Sequence, residues 1–231
     1  MFSLWPLNRS LSGEGVRETF DHILEYLPNL KVESISSGSK VFDWVVPKEW
    51  NVKEAYIITP DGNKICDFST NNLHLVGYSI SFNGKITLNK LKAHLYTIPE
   101  QPNAIPYVTS YYKERWGFCI SQNQFTKLKD GIYHVVVDTS LTDGVINYGE
   151  LLIKGKNSKE IFLSTYICHP SMANNELSGP SVLTFLAKWL EESRNTEYSY
   201  RIIFVPETIG SIIYLSLNYK EMKKKILAGF N

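Results

Sequence analysis

Two short apolar runs, each followed by a polar loop and a helical pattern, constrain the fold of this chain most strongly. The runs span residues 161–166 and 200–205, and helical spacing of apolar residues follows at 182–190 and from Ile212 onward. Runs of this length that are rich in β-branched and aromatic residues are typical of buried strands. The order strand, helix, strand, helix predicts a parallel sheet with right-handed crossovers. The apolar segment 226–230 resembles the start of a third strand.

Residues 40–154 show a different pattern, in which short β-like runs alternate with turn residues. Examples of such runs are 41–46 and 55–59, and the second leads into Pro-Asp-Gly at 60–62. That tripeptide predicts a turn, because proline fixes φ and glycine accepts a positive φ. Apolar residues at helical spacing between Val16 and Leu27 predict one N-terminal helix before this region. We therefore predict an N-terminal helical segment (1–38), an inserted and mostly antiparallel β module (39–155), and the first part of a parallel α/β core (156–231).

Composition limits the classes of partner. The chain has 231 residues and a formal net charge of +1, so nothing favours nucleic acid or an anionic membrane surface. Cys66, Cys119 and Cys168 are widely spaced without a CxxC pair, which is typical of a reducing compartment. No basic N-terminal region precedes a long apolar run, and no apolar stretch approaches the ~20 residues of a membrane helix. The sequence predicts a soluble, cytoplasmic protein.

Polar residues cluster where the two predicted strands end. His169 follows the first strand and Glu207 follows the second, while Asn175 and Glu176 lie in the loop between strand and helix. Open α/β sheets hold their chemistry at the carboxyl ends of parallel strands, which lie about 4.8 Å apart. Zinc binds histidine nitrogen and carboxylate oxygen. The pattern therefore indicates a candidate metal site at this edge of the sheet.

Structural roles for the same residues remain open at this point. His169 could be a hydrogen-bonded loop histidine, and Glu207 could complement a helix dipole. Asn175 could serve as a loop or capping residue. Cys168 is predicted to be a buried and inert thiol. Alternation along a strand predicts that its side chain and that of His169 point to opposite faces, which disfavours a Cys-His dyad.

Several long motifs resemble one known family. These motifs are residues 168–180 (CHPSMANNELSGP), residues 205–211 (VPETIGS) and the opening segment 6–19. They are similar to the bacterial aminopeptidase-like proteins that are related to the zinc aminopeptidases, and residues 41–50 resemble the β insertion of those proteins. The similarity covers essentially the whole chain. It implies an αβα sandwich of the phosphorylase/hydrolase-like type with an inserted β module, and an association with polysaccharide biosynthesis.

The resemblance also implies roles for the loop residues. His169 takes the position of a zinc ligand, and Glu207 takes that of either a metal ligand or the catalytic general base. Asn175 stands where the active enzymes have a bridging aspartate, and Glu176 beside it is a further candidate metal ligand. The full-length family is expected to bind one or two zinc ions. A neutral amide does not hold two dications together as a bridging carboxylate does.

The function implied by the resemblance is zinc-dependent hydrolysis of a peptide or amide bond, in a peptide or an amide-bearing small molecule. We expect the 231-residue chain to be inactive by itself. The Glu-Glu pair of the active enzymes appears as Pro206-Glu207, and their remaining ligands are expected beyond Asn231, as in a C-terminally truncated member. The alternative is a non-catalytic member, linked to polysaccharide biosynthesis, whose pocket binds a ligand or partner.

Overall fold

The computed structural model describes residues 1–193 and 195–231. Its helices are α1 (Glu14–Leu24), α2 (Leu88–Lys92), α3 (Gln122–Phe125), α4 (Ser178–Glu192) and α5 (Ile209–Lys225). Its strands are β1 (Lys31–Ser36), β2 (Lys40–Val41), β3 (Trp44–Val45), β4 (Glu49–Ile58), β5 (Lys64–Ile65), β6 (Phe82–Thr87), β7 (Leu95–Tyr96), β8 (Phe118–Cys119), β9 (Ile132–Thr142), β10 (Val145–Ile153), β11 (Glu160–Tyr166), β12 (Ser199–Val205) and β13 (Ile226–Phe230). The chain divides into two compact units, one formed by Met1–Glu49 with Asp143–Asn231 and the other by Trp50–Thr142.

The first unit contains a mixed sheet. Within the described residues its strand order is β1-β10-β12-β11-β13. Strand β11 pairs in parallel with both β12 and β13, whereas β10 pairs antiparallel with β1 and β12. The parallel strands and their intervening helices confirm the α/β architecture predicted from the two apolar runs. The third strand, predicted at 226–230, is β13.

Helices cover both faces of this sheet. On one face, α1 and α4 contribute Phe20 and Leu183 to an apolar cluster that includes Ile202 and Phe204 of β12. On the other face, the ring of Tyr214 in α5 lies 5.7 Å from that of Tyr148 and 6.4 Å from that of Phe162. Because Ile202 and Phe204 are separated by two positions, they share one face of the strand. The arrangement confirms the predicted αβα sandwich.

Strand β10 joins the main sheet, although the sequence prediction placed residues 146–153 in the inserted β module. It pairs with β12 from Gly149↔Phe204 to Ile153↔Tyr200. Its Leu151 is buried in the same apolar cluster as the helices. An antiparallel strand shows the same alternation whichever sheet it joins, so the local pattern did not contain this information.

The second unit is built on short strands. Its larger sheet has the order β5-β4-β9-β6 within the described residues, with antiparallel pairing of β5 to β4 and of β6 to β9. Strands β7 and β8 form a separate parallel pair. Side chains such as Trp50, Ile57, Tyr133 and Val135 are buried in this unit. In neither of the described ranges, 1–193 and 195–231, is a helix long and apolar enough to cross a membrane.

A buried arginine on β12 ties the elements of the first unit together. The Arg201 guanidinium donates to Glu160 and to Glu150 at 2.6 Å, to the Tyr214 hydroxyl at 3.1 Å, and to Glu221 at 3.2 Å. These partners lie on β11, β10 and α5. Burial lowers the pKa of Arg201, but the hydrogen bonds to Glu160 and Tyr214 outweigh it, so that the pKa is raised overall. The charge is therefore fully compensated inside the sandwich.

Replacing this arginine should destabilise the fold strongly. In Arg201→Met the buried Glu160 loses its main counterion, and such a loss typically costs about 3–5 kcal/mol of unfolding free energy. Lys53→Met is the matched control, because Lys53 is 81% exposed and pairs with Asp138 at 3.4 Å. An exposed pair contributes about 0–1 kcal/mol. Urea denaturation measures both variants, and equal small losses would contradict the assigned role of Arg201.

Candidate metal centre

The candidate site lies where β11 and β12 end side by side. The parallel register runs to Tyr166↔Val205, and the Ile167 N–H continues it by donating to the Val205 carbonyl at 3.1 Å. One step further, the Glu207 N–H donates to the Cys168 sulfur at 3.0 Å. These bonds bring the residues that follow the two strands to the same edge of the sheet.

The His169 imidazole lies between two carboxylates. Its Nε2 atom is 3.2 Å from Glu207 Oε2, and its Nδ1 atom is 3.2 Å from Glu176 Oε2. The His169 side chain is 12% exposed and that of Glu207 is 53% exposed. The side of the imidazole that faces Glu207 is therefore the side that opens toward solvent.

A helical turn of unusual pitch positions the inner carboxylate. Residues Ala173–Leu177 form a π-helical turn before α4, and such turns are frequent at functional sites. Glu176 is completely buried there, and its Oε1 accepts the His169 backbone N–H at 2.7 Å. Asn175, the neighbouring residue in the turn, is exposed. Of the candidate ligands, the structure thus brings Glu176 and Glu207 to His169 and leaves Asn175 on the surface.

Cys168 contacts His169, contrary to the expectation from strand alternation. The Cys168 Sγ atom lies 3.2 Å from His169 Nδ1. Alternation does not apply here because β11 ends at Tyr166, before either residue. Cys168 is buried as expected, and burial together with the negative charge of Glu176 raises the pKa of its thiol well above the ordinary value. Without a bound cation the sulfur therefore remains a protonated, weak nucleophile.

The donor set fits a single zinc ion. Ligand atoms of Cys168, His169 and Glu207 all lie within 4.8 Å of one another. Zinc accepts thiolate, imidazole and carboxylate ligands. Two ligand atoms of a tetrahedral zinc with N and O bonds are about 3.3 Å apart, close to the 3.2 Å between His169 Nε2 and Glu207 Oε2. A zinc ion at this position would be held by residues that the fold already brings together.

Two strained backbone positions border the site. Ser171 has a φ of 47° and Thr208 a φ of 57° with ψ of −72°. Left-handed φ values are disfavoured for residues with a side chain, most of all for a β-branched one. Such strain is concentrated at functional sites, where the surrounding structure enforces it. Here these two backbone conformations turn the chain sharply after His169 and after Glu207.

Sequence reasoning missed one charged residue of this region, Arg9. Its side chain is buried with 1% exposure, and Nε, Nη1 and Nη2 have no hydrogen-bond partner among the described residues. Burial lowers the pKa of Arg9, whereas the negative charge of Glu176 acts to raise it. The N-terminal segment also meets the site loop where the Ser171 hydroxyl donates to the Trp5 carbonyl at 2.9 Å. The motif 6–19 was the only signal in the sequence, and it did not assign Arg9 a role.

The fold is similar to that of known peptidases. A crystal structure of a peptidase M28 precursor from Shewanella amazonensis SB2B matches with a TM-score of 0.64 at 12% identity, covering 98% of this chain and 68% of that chain. A zinc aminopeptidase from Bacillus subtilis matches with a TM-score of 0.61 at 11% identity, covering 100% of this chain and 67% of that chain. At such low identity these matches establish the fold alone, which is that of the zinc aminopeptidases.

The chain belongs to the DUF4910 family, described as a domain of unknown function, whose model matches residues 1–231. A Clostridium acetobutylicum protein, provisionally named a polysaccharide biosynthesis protein with an aminopeptidase-like domain, is 51% identical over 220 residues, covering 95% of this chain and 50% of that protein. The crystal structure of a candidate peptidase from the same organism has a TM-score of 0.94 at 50% identity, covering 98% of this chain and 54% of that chain. The chain therefore spans about half the length of these relatives, and the resemblance to aminopeptidase-like proteins is confirmed.

A glycine sets the distance between the start of α4 and β11. A Cβ atom added at Gly179 would lie 2.3 Å from Thr165 Oγ1 and 3.5 Å from Thr165 Cβ. The first distance is a severe overlap and the second is an ordinary contact. The close approach keeps the turn that carries Glu176 against the end of the strand that leads to His169.

Substitution at this glycine should depend on the residue opposite. Gly179→Ala should destabilise the protein by about 1–3 kcal/mol through overpacking. Alanine at residue 165 lacks the Oγ1 atom that causes the overlap. In the Thr165→Ala background Gly179→Ala should therefore be neutral or stabilising, because alanine has a higher helix propensity than glycine. Denaturation of the two single variants and the double variant measures the coupling. Additive losses would show that the Thr165 hydroxyl is not what excludes a side chain at residue 179.

Proposed function

We propose that this chain provides the metal-binding half-site of a zinc-dependent hydrolase that cleaves a peptide or amide bond. The observation that carries the proposal is the 3.2 Å separation of His169 Nε2 from Glu207 Oε2, with Cys168 within ligand distance. The substrate class is supported by the zinc aminopeptidase among the proteins of similar fold. The three cysteines are free and buried, which supports our further proposal of a cytoplasmic location.

The site residues have different proposed roles, which follow their exposure to solvent. His169 supplies the inner ligand atom Nε2, the Cys168 sulfur lies 3.2 Å from the other ring nitrogen, Nδ1, and Glu207 reaches the site from the solvent side. A bound zinc ion would polarise the scissile carbonyl and lower the pKa of a bound water. With Oε2 of Glu207 turned toward His169, its Oε1 is free to accept a proton from the attacking water. The same carboxylate would then hold that proton until the leaving amine takes it.

Zinc binding is the first test of this proposal. We expect the purified chain to bind about one zinc ion, because its donors suit one tetrahedral site. His169→Gln should abolish the binding by removing a ligand. His134→Gln is the matched control, since His134 belongs to the second unit and contacts Asn83 Oδ1 at 2.8 Å. Mass spectrometry of metal content after dialysis gives the result, and unchanged zinc in His169→Gln would contradict the proposal.

Catalysis is tested in the full-length protein, since the chain spans about half the length of its relatives. We expect zinc-dependent release of an amino acid from an aminoacyl p-nitroanilide. Glu207→Gln should lower kcat by about 10²–10⁴-fold, because an amide accepts no proton. The 231-residue chain alone should show no turnover. Zinc-loaded full-length protein that hydrolyses neither peptides nor amides would contradict a hydrolase and leave the second candidate.

The second candidate is a non-catalytic member whose pocket binds a ligand or partner linked to polysaccharide biosynthesis. Two departures favour it: Asn175, which is exposed, stands where the active enzymes have a bridging aspartate, and Pro206 stands where they have a glutamate. The second unit also contains a cavity of about 300 Å³ with a mainly apolar wall that includes Ile65, Ile120 and Tyr133. Tight binding of an oligosaccharide fragment without turnover, measured by calorimetry, would favour this candidate over hydrolysis.

A further inference from the structure

Buried carboxylates of the first unit are paired with arginines. Among its described residues, three carboxylates are buried, and two of them have an evident arginine partner. Glu49 accepts from Arg17 at 2.8 and 3.2 Å, and Glu160 accepts from Arg201 at 2.6 and 3.1 Å. A buried ion without a counterion is strongly unfavourable, so pairing is the rule that the fold follows.

The third buried carboxylate is Glu176, and the described residues contain two buried arginines, Arg201 and Arg9. Both carry orphaned polar atoms: Glu176 Oε2 and all three guanidinium nitrogens of Arg9 have no hydrogen-bond partner in the described part of the chain. Glu176 is also the foremost charged group acting on Arg9. The segment that carries Arg9 contacts the loop that carries Glu176, because the Ser171 hydroxyl donates to the Trp5 carbonyl at 2.9 Å. Two buried groups of opposite charge, each incompletely satisfied, therefore lie on two segments that meet at the site.

We infer that Arg9 is the counterion of Glu176 and a positioning residue for the metal centre, an inference that rests on the proposed function. Glu176 holds His169 at two atoms, through the 2.7 Å bond to its backbone N–H and the 3.2 Å contact with Nδ1. Arg9 compensates the charge of Glu176 and so keeps this carboxylate against the imidazole. The Nε2 atom then remains directed at Glu207. Arg9 acts on the metal through Glu176 and does not touch the metal or the substrate.

The test is a double-mutant cycle with zinc affinity as its readout, measured by competition with a chromogenic chelator. Arg9→Met should weaken zinc binding by about 10–100-fold, the usual cost of losing an outer partner of a ligand. Glu176→Gln should weaken it by a similar factor. If Arg9 acts through Glu176, the double variant binds zinc no more weakly than the weaker single variant. Arg9→Lys should retain most of the affinity, because it keeps the charge.

Two results would overturn the inference. One is a double variant whose losses are additive, and the other is an Arg9→Met variant with unchanged zinc affinity. Arg17→Met, which removes a different arginine–carboxylate pair, is the control and should combine additively with Glu176→Gln.

Measurements of stability distinguish a failure of this inference from a failure of the proposed function. Arg9→Met leaves Glu176 buried without its counterion, so the double variant Arg9→Met/Glu176→Gln should have a higher denaturant midpoint than Arg9→Met alone. If Arg9→Met does not fold, recovery of folding in the double variant supports the pair, and failure of the double variant while Glu176→Gln folds contradicts it. Should the wild-type chain bind no zinc, the proposed function fails while this cycle still decides whether Arg9 and Glu176 are paired.

Discussion

The parallel pairing of β11 with β12 is the constraint on which the rest of the site depends. Its register is continuous from Glu160↔Ser199 to Tyr166↔Val205. A hydrogen bond to the sulfur of Cys168 extends it beyond the strands. If the two strands slipped by one residue, every side chain would change face, and the loops after them would no longer end together. The apolar packing of α1 and α4 on one face and the ion network of Arg201 on the other hold that register.

The second constraint is electrostatic. The loop after β11 turns a carboxylate inward, so that Glu176 is fully buried beside His169, whereas Glu207 remains half exposed on the other side of the ring. Burying a carboxylate is tolerated only with a counterion and hydrogen bonds. The fold thereby separates an inner acid, which orients the histidine, from an outer acid, which is free for chemistry. A metal ion would be bound between an ordered interior and an accessible carboxylate.

Much of the fold could be predicted from local patterns, because each element carries its own signal. The run 161–166 matches β11 and 200–205 lies within β12, since each is a short apolar run typical of a buried strand. The run 226–230 matches β13, although its residues are mostly exposed. The assignment of β10 failed because the strand joins a sheet formed by residues far away in the chain. His169 and Glu207 could be found at the strand ends. Three features of the site leave no local pattern in the sequence. They depend on a π-helical turn and on long-range packing, and they are the inward turn of Glu176, the contact of Cys168 with His169 and the burial of Arg9.

The central claim is that His169 and Glu207 bind the same metal ion at the carboxyl ends of β11 and β12. Anomalous diffraction at the zinc edge, from crystals of the protein prepared with zinc, tests it most directly. We expect one strong peak about 2.0–2.2 Å from both His169 Nε2 and a carboxylate oxygen of Glu207. Two results would contradict the claim. One is stoichiometric zinc whose anomalous peak lies out of reach of His169, and the other is the absence of any peak at this edge of the sheet.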